Sequence, residues 1–414
     1  MNTLLRMERA EGPGGMAVIL LKRPGFAERL AVLGTDYGST DLVLPSGRIT
    51  PPGVAHFLEH VLFETHEGNA SDLFSARGAY SNAFTDYGTT AYLFSSPDRW
   101  QENLRLLVGF VTKPPFPADK VEKERGIIVQ EVRMYLDSPG SRLSENLHQA
   151  LFRRHPARLD IAGTVSSVKA IRRNDLAACH RAFYRPSNLC LVAVGDLRMK
   201  DLLATLRREI PAGRLRRPPH RLPAEPSRPA RRRIAKRMEV SQPQLLMGFK
   251  DPKPAKGGRQ LLDRRIAAGL CLALLFDHAA ELHQALYESG LIDEDFTSGY
   301  ASERGFAYAA VGGQTRDPRK LERLILKCIA KAAKAGFHAE DLERARRKAL
   351  GNWIRILDVP QSLSSAALTA HFQGVRLEEY PARLRACSMS QVEALRDEML
   401  KPGQLAISTI LPRK

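Results

Sequence analysis

Residues 56–60 read His-Phe-Leu-Glu-His within the run HFLEHVLFE, and this segment constrains the chain more than any other. Phe57, Leu58, Val61, Leu62 and Phe63 surround the histidines with apolar side chains, so a helix here must be buried. Helical positions four apart lie one turn apart on one face, so both imidazoles can bind one cation while Glu59 sits beside them. The alternative is a surface helix that happens to carry His-Glu-His; its apolar neighbours, and a total of 11 histidines in 414 residues, argue against that. A catalytic zinc site takes three protein ligands and leaves the fourth position to water, so one ligand remains to be found.

Glu131 fills that role. In VEKERGIIVQEVRMYLD, residues Val121, Glu124, Ile128, Glu131 and Tyr135 fall on one stripe at helical spacing, which places two carboxylates on the face that should be buried. A buried carboxylate needs a partner, and a metal ion together with a histidine N–H would satisfy both. We assign Glu131 to the metal and Glu124 to a ligand histidine behind it. For Glu124 the alternative is a helix-surface ion pair with Lys123 or Arg125.

Five stretches, GVAHFLEHVLFE, GAYSNAFTDYGTTAYLFSS, KERGIIVQEVRMYLDSP, HPARLDIAGT and FYRPSNLCLVAVGD, follow one another in the order seen in the pitrilysin (insulinase) family, the inverted-motif HxxEH zinc peptidases. Together they resemble the whole N-terminal domain of that family. The resemblance implies zinc, one per chain, on His56, His60 and Glu131, with Glu59 as general base and Glu124 as supporting carboxylate. The step from His60 to Glu131 is a few residues shorter than usual in the family, which keeps Glu124 as the alternative ligand. The resemblance is strongest to short bacterial subunits that pair with a homologue lacking the zinc motif.

The length suggests two domains, and the 43% hydrophobic content suffices to pack both. From Gly213 to Arg237 the chain has five prolines and ten Lys or Arg against the single acid Glu225, which reads as an extended basic linker. Expected boundaries are therefore 1–212 for the zinc-peptidase domain, 213–237 for the linker and 238–414 for a second domain without a metal motif. The fold class is α+β, two homologous domains each with a mostly antiparallel sheet packed with helices. In the second half, strands are expected over Ser241–Phe249, Phe306–Gly312 and Gln404–Leu411, and helices over Arg264–Ser289, Leu321–Ala335 and Leu342–Leu357. His278, Glu281 and His283 are expected to be structural, because histidines five apart on a helix diverge by about 140°. The linker supplies about half of the net charge of +18, and without stacking aromatics or a recognition motif it does not read as a nucleic-acid site. No apolar run reaches the roughly 18 residues of a membrane span and no signal-peptide core is visible, so the expectation is a cytoplasmic protein. The five scattered cysteines read as reduced buried thiols.

Residues Ala79–Ser95 read as two alternating strands. In the family the edge at Asn82 and Ala83 pairs with substrate backbone; Asn82 could equally begin a hairpin turn. Family members usually carry in the second domain an Arg and a Tyr that stabilise the oxyanion, but LYESGLIDE has Tyr287 and Glu294 near those positions. Losing such donors costs about 3–4 kcal/mol in a transition state. The expected protein is thus a zinc endopeptidase subunit for short unstructured peptides, such as leaders of ribosomally made natural products. A homologous partner lacking HxxEH would supply the Arg and Tyr. The alternative is a non-catalytic scaffold of the same fold.

Overall fold

The computed structural model describes residues 5–413 except 212, 214 and 215. Two compact units emerge: residues 1–133, 160–222 and 355–372 form the first, and 134–159, 223–354 and 373–414 the second.

The strands of the first unit are β1 (Met7–Glu11), β2 (Ala17–Lys22), β3 (Arg29–Thr35), the short pair β4 (Glu64–Thr65) and β5 (Gly68–Asn69), β6 (Tyr80–Thr85), β7 (Thr90–Ser96) and β8 (Leu189–Gly195). Those of the second are β9 (Arg233–Met238), β10 (Gln244–Lys250), β11 (Thr297–Glu303), β12 (Phe306–Gln314) and β13 (Leu405–Pro412). The main sheets run β1-β2-β8-β3-β7-β6 and β11-β12-β10-β13-β9. Without β1 the two trace one path, because β2 and β8 pair parallel as β13 and β9 do, and every other ladder is antiparallel. The α+β architecture is therefore duplicated. The central strand β8, LCLVAVG, is buried throughout and reads as one continuous apolar run for that reason. Strand β6 lies at an edge of its sheet.

The helices are α1 (Val54–Leu62), α2 (Ala70–Ser75), α3 (Trp100–Thr112), α4 (Ala118–Asp137), α5 (Pro139–Leu151), α6 (Val165–Ala170), α7 (Arg173–Phe183) and α8 (Met199–Glu209). They continue with α9 (Gly258–Phe276), α10 (Glu281–Glu288), α11 (Pro318–Ala335), α12 (Ala339–Asp358), α13 (Pro360–Phe372), α14 (Tyr380–Ala386) and α15 (Met389–Met399). Helix α5 packs on β9, β10 and β13 of the second sheet, and α13 packs on β3 and β8 of the first. The same device seats both. A Cβ added at Gly34 in β3 would lie 2.5 Å from a methyl of Leu368, and one at Gly248 in β10 would lie 2.7 Å from a methyl of Leu147. Glycine at these strand centres lets a leucine of the exchanged helix touch the backbone.

Several details differ from the sequence expectation. The strands of the two sheets lie to either side of residues 213–232 in the chain, but the packed units trade segments, so no single cut at 212 or 238 separates them. Residues 233–237 belong to β9 because they pair in parallel with β13. The linker's one acid is anchored within the second unit: Glu225 accepts the backbone N–H groups of Arg153, Arg154 and His155 and the Lys250 ammonium at 2.6 Å. The helix expected over Arg264–Ser289 breaks into α9 and α10, with His278 in the intervening turn. Strand β11 and helices α13 to α15 are additional to the expected elements; the β11 run TSGYASE carries no clean alternation of apolar and polar residues.

Candidate metal centre

Helix α1 starts at Gly53, whose φ of 91° is the left-handed conformation that glycine adopts without strain. A Cβ there would also lie 2.4 Å from the Ala162 carbonyl oxygen. From this start α1 packs against α7, β6 and β7, and every residue from Val54 to Leu62 except His60 is buried. The imidazoles of His56 and His60 share one face, their ring centroids 4.7 Å apart.

Helix α4 delivers the carboxylates. Val121, Glu124, Ile128 and Val132 are buried, and Glu131 lies on the same stripe at the margin of the buried face. Glu131 Oε2 is 3.7 Å from His56 Nε2 and 3.5 Å from His60 Nε2. Among the described residues, His56, His60 and Glu131 form the one His/Cys/Asp/Glu cluster whose donor atoms lie within 4.8 Å of one another. Tetrahedral bonds of about 2.05 Å imply donor separations of about 3.3 Å, so two imidazole nitrogens and a carboxylate oxygen at these distances fit a zinc ion.

The supporting contacts are also in place. Glu124 Oε2 is 3.2 Å from His60 Nδ1, which turns Nε2 toward Glu131. Lys123 stands 3.8 Å from Glu124 and also meets Glu64, whereas Arg125 turns to Glu122 and to the carbonyls of Val168 and Ile171. Glu124 therefore faces the histidine with Lys123 at its flank. Burial pulls His60 down, but its hydrogen bonds to Glu124 and Glu131 outweigh this and raise it to about 9. His56, with burial and the neighbouring His60 acting together, falls to about 4.

Glu59 does not join the donor cluster. It is buried at the end of β6, where Thr85 Oγ1 donates to its Oε2 at 2.6 Å. Burial raises the Glu59 carboxyl above its ordinary range, and the Thr85 hydroxyl opposes this by stabilising the ionised form. Sequence reasoning missed Thr85, because nothing local distinguishes it from any other strand threonine. It also missed the buried Tyr92–Tyr184 hydroxyl pair, 2.9 Å apart, whose ionisation is suppressed by burial and further opposed by the Glu59 charge.

Asn82 is exposed on edge strand β6, paired through the ladder with Leu93, and is not a turn residue. Its Oδ1 accepts the Ala83 N–H at 2.8 Å, and its Nδ2 donates to the Tyr80 hydroxyl. In the second unit, the rings of His278 and His283 lie 4.4 Å apart. Their expected divergence does not occur, because His278 precedes α10; Asp277 beside them is taken by Lys348 at 2.5 Å. Tyr287 and Glu294 are exposed. Arg304 lies in the β11–β12 turn, where its carbonyl accepts from His155.

The duplicated α+β fold and a two-imidazole, one-carboxylate cluster on α1 and α4 define the class of inverted-motif metallopeptidase folds. This chain belongs to the insulinase family, peptidase family M16. The family model described as "Insulinase (Peptidase family M16)" matches residues 50–165, and that described as "Peptidase M16 inactive domain" matches residues 170–349. The uncharacterized zinc protease YmfH of Bacillus subtilis is 34% identical over 411 residues, covering 96% of this chain and 95% of that protein. The putative zinc protease AlbF of Bacillus subtilis is 31% identical over 225 residues, 53% of this chain and 50% of AlbF. The crystal structure of a putative M16-like peptidase from Alicyclobacillus acidocaldarius superposes with a TM-score of 0.94 at 32% identity, covering 99% of each chain. Pitrilysin shares the fold at 16% identity, with a TM-score of 0.78 over 99% of this chain and 45% of its own.

Proposed function

We propose that this protein is the catalytic subunit of a zinc endopeptidase acting on short unstructured peptides. The observation that carries the reading is the convergence of His56 Nε2, His60 Nε2 and Glu131 Oε2, with Glu124 behind His60 and Glu59 alongside but outside the cluster. When bound, zinc supplies a Lewis acid and lowers the pKa of a water molecule toward neutrality. Glu59 Oε takes the water proton and passes it to the leaving amine, and Thr85 holds the carboxylate in its ionised, oriented form. Edge strand β6 offers unpaired backbone to an extended peptide, which selects unfolded chains over folded ones. The Asn82 amide that occupies the Ala83 N–H turns aside when substrate pairs there.

A homologous subunit lacking HxxEH completes the enzyme by supplying oxyanion donors, since Tyr287 and Glu294 stand near the places of the family's Arg and Tyr. The second family-model match, over residues 170–349 of this chain, carries the description "inactive domain", which fits a metal site confined to the first domain. Leader peptides of ribosomally made natural products are fitting substrates, and the cytoplasm a fitting compartment. The test has two arms. Metal analysis should find about one zinc per chain, retained in Glu59→Gln and lost in His60→Ala. Peptide turnover should be negligible for the isolated chain, its oligomeric state checked by light scattering, and should appear when the partner is added. Glu59→Gln should reduce that turnover by about 10²-fold or more. A zinc-free wild-type chain would refute the metal assignment; robust turnover by a pure monomer or homodimer would refute the heterodimer.

A further inference from the structure

A cleft of about 690 Å³ lies in the first unit where α3 and α8 begin, its charged lining made of Arg29, Arg99, Arg105 and Arg198 with the acids Glu102, Asp196 and Asp201. Its location follows from the sheet register. Arg29 pairs with Ser96 at one end of β3, whereas Thr35 pairs with Thr90 at the other, and Thr90 in turn pairs with Thr85, the partner of Glu59. The cleft is thus at the opposite end of β3 and β7 from the metal centre.

Its charges are unevenly matched. Arg198 forms an ion pair with Asp201 at 2.6 Å, and Asp196 accepts the Gly25 N–H. Among the described residues, Arg29, Arg99 and Arg105 have no carboxylate partner; Arg29 reaches only the Pro97 carbonyl at 3.4 Å. The buried Nε atoms of Arg29 and Arg105 have no hydrogen-bond partner at all. Four guanidinium groups against three carboxylates leave the concavity net positive, and the three arginines outside any ion pair are relieved by an anion. The 13-residue α3 and the 11-residue α8 start from arginine N-caps, Arg99 and Arg198, and neither start has a side-chain cap. Their first turns carry the acids Glu102 and Asp201, the latter held by Arg198, so the cleft's affinity for an oxyanion rests on Arg29, Arg99 and Arg105.

We propose that this cleft binds a small polyvalent oxyanion of the phosphate class, held by Arg29, Arg99 and Arg105. Guanidinium forks match phosphate oxygens in pairs, and the site is independent of the metal and of peptide hydrolysis.

The test is isothermal titration of the full-length, zinc-stripped chain with inorganic phosphate and with tripolyphosphate at constant ionic strength, which avoids chelation of the metal as a false signal. Saturable binding near one per chain is expected. Arg99→Gln/Arg105→Gln should weaken it by about tenfold or more, the loss expected for charged hydrogen bonds. Arg319→Gln/Arg323→Gln, exposed residues of the other unit with the same loss of charge, should leave it within about twofold. Binding that is tighter for tripolyphosphate assigns a phosphoanhydride ligand, and equal affinity assigns a single phosphate group. Titrations that do not saturate, or equal weakening in both double variants, overturn the site. Should circular dichroism show that the cleft variant is misfolded, Arg29→Gln is read by the same criterion.

Discussion

Thr85→Val tests the reading of Glu59 as general base. The substitution keeps volume and β-branching but removes the hydroxyl that donates to Glu59 Oε2 at 2.6 Å. Glu59 is only 9% exposed, so water cannot readily replace the bond. A hydrogen bond to a charged group is worth about 1.5–3 kcal/mol, and each 1.36 kcal/mol is a factor of ten in an ionisation equilibrium. The bond favours the ionised form, so its loss raises the Glu59 pKa beyond the rise that burial already causes. The base is then protonated at higher pH. The acid limb of kcat/KM, measured on the assembled enzyme with an unstructured peptide, should move upward by about one to two pH units. The alkaline plateau should stay within a few-fold of wild type, because Glu59 still ionises there, and Thr85→Ser should restore the original limb. An unmoved limb in Thr85→Val would mean that a group other than Glu59 titrates in the free enzyme. A fall in the plateau without a limb shift would mean that Thr85 acts on geometry alone.

Glu124→Gln keeps the shape beside His60 Nδ1 but not the charge, and should weaken zinc binding by about 10- to 100-fold, read by chelator competition. Zinc must displace a proton from His60, which is held up to about 9, so wild-type affinity should fall as pH drops below about 9. Glu225→Ala strands Lys250, 3% exposed, and three backbone N–H groups, and should cost about 3–5 kcal/mol in urea unfolding. The Glu225 carboxyl is held at about 2, below its ordinary value, by those N–H groups and the ammonium against the pull of burial; burial nonetheless draws Lys250 down. The stability that Glu225 contributes is therefore complete above about pH 4.5 and is lost as pH falls toward 2, so the mutant and wild-type curves should converge across that window. Gly34→Ala should destabilise by about 1–3 kcal/mol through overlap with the fully buried Leu368, and Gly34→Ala/Leu368→Ala should be less destabilised than the sum of the two single substitutions.

The HFLEH run and the Val121–Tyr135 stripe could be read without a structure, because both depend on helical periodicity within twenty residues, and a helix carries its own geometry. The same holds for the long helices of the second half and for the apolar strands β8, β10 and β13. What periodicity could not supply were relations across long stretches of chain. Nothing in the sequence near Thr85 points to Glu59, and nothing near His278 indicates that a turn, not a helix, sets its ring against His283. Residues 233–237 look like basic linker until β13 arrives from 170 residues away to pair with them. Helices α5 and α13 each follow a long helix in the same way, yet each lies on the sheet built by the other half of the sequence, with Gly34 meeting Leu368 and Gly248 meeting Leu147. Local spacing determined which residues could act together on one helix. Tertiary packing decided which helices meet, because burial and close contact are properties of surfaces brought together and not of neighbours along the chain.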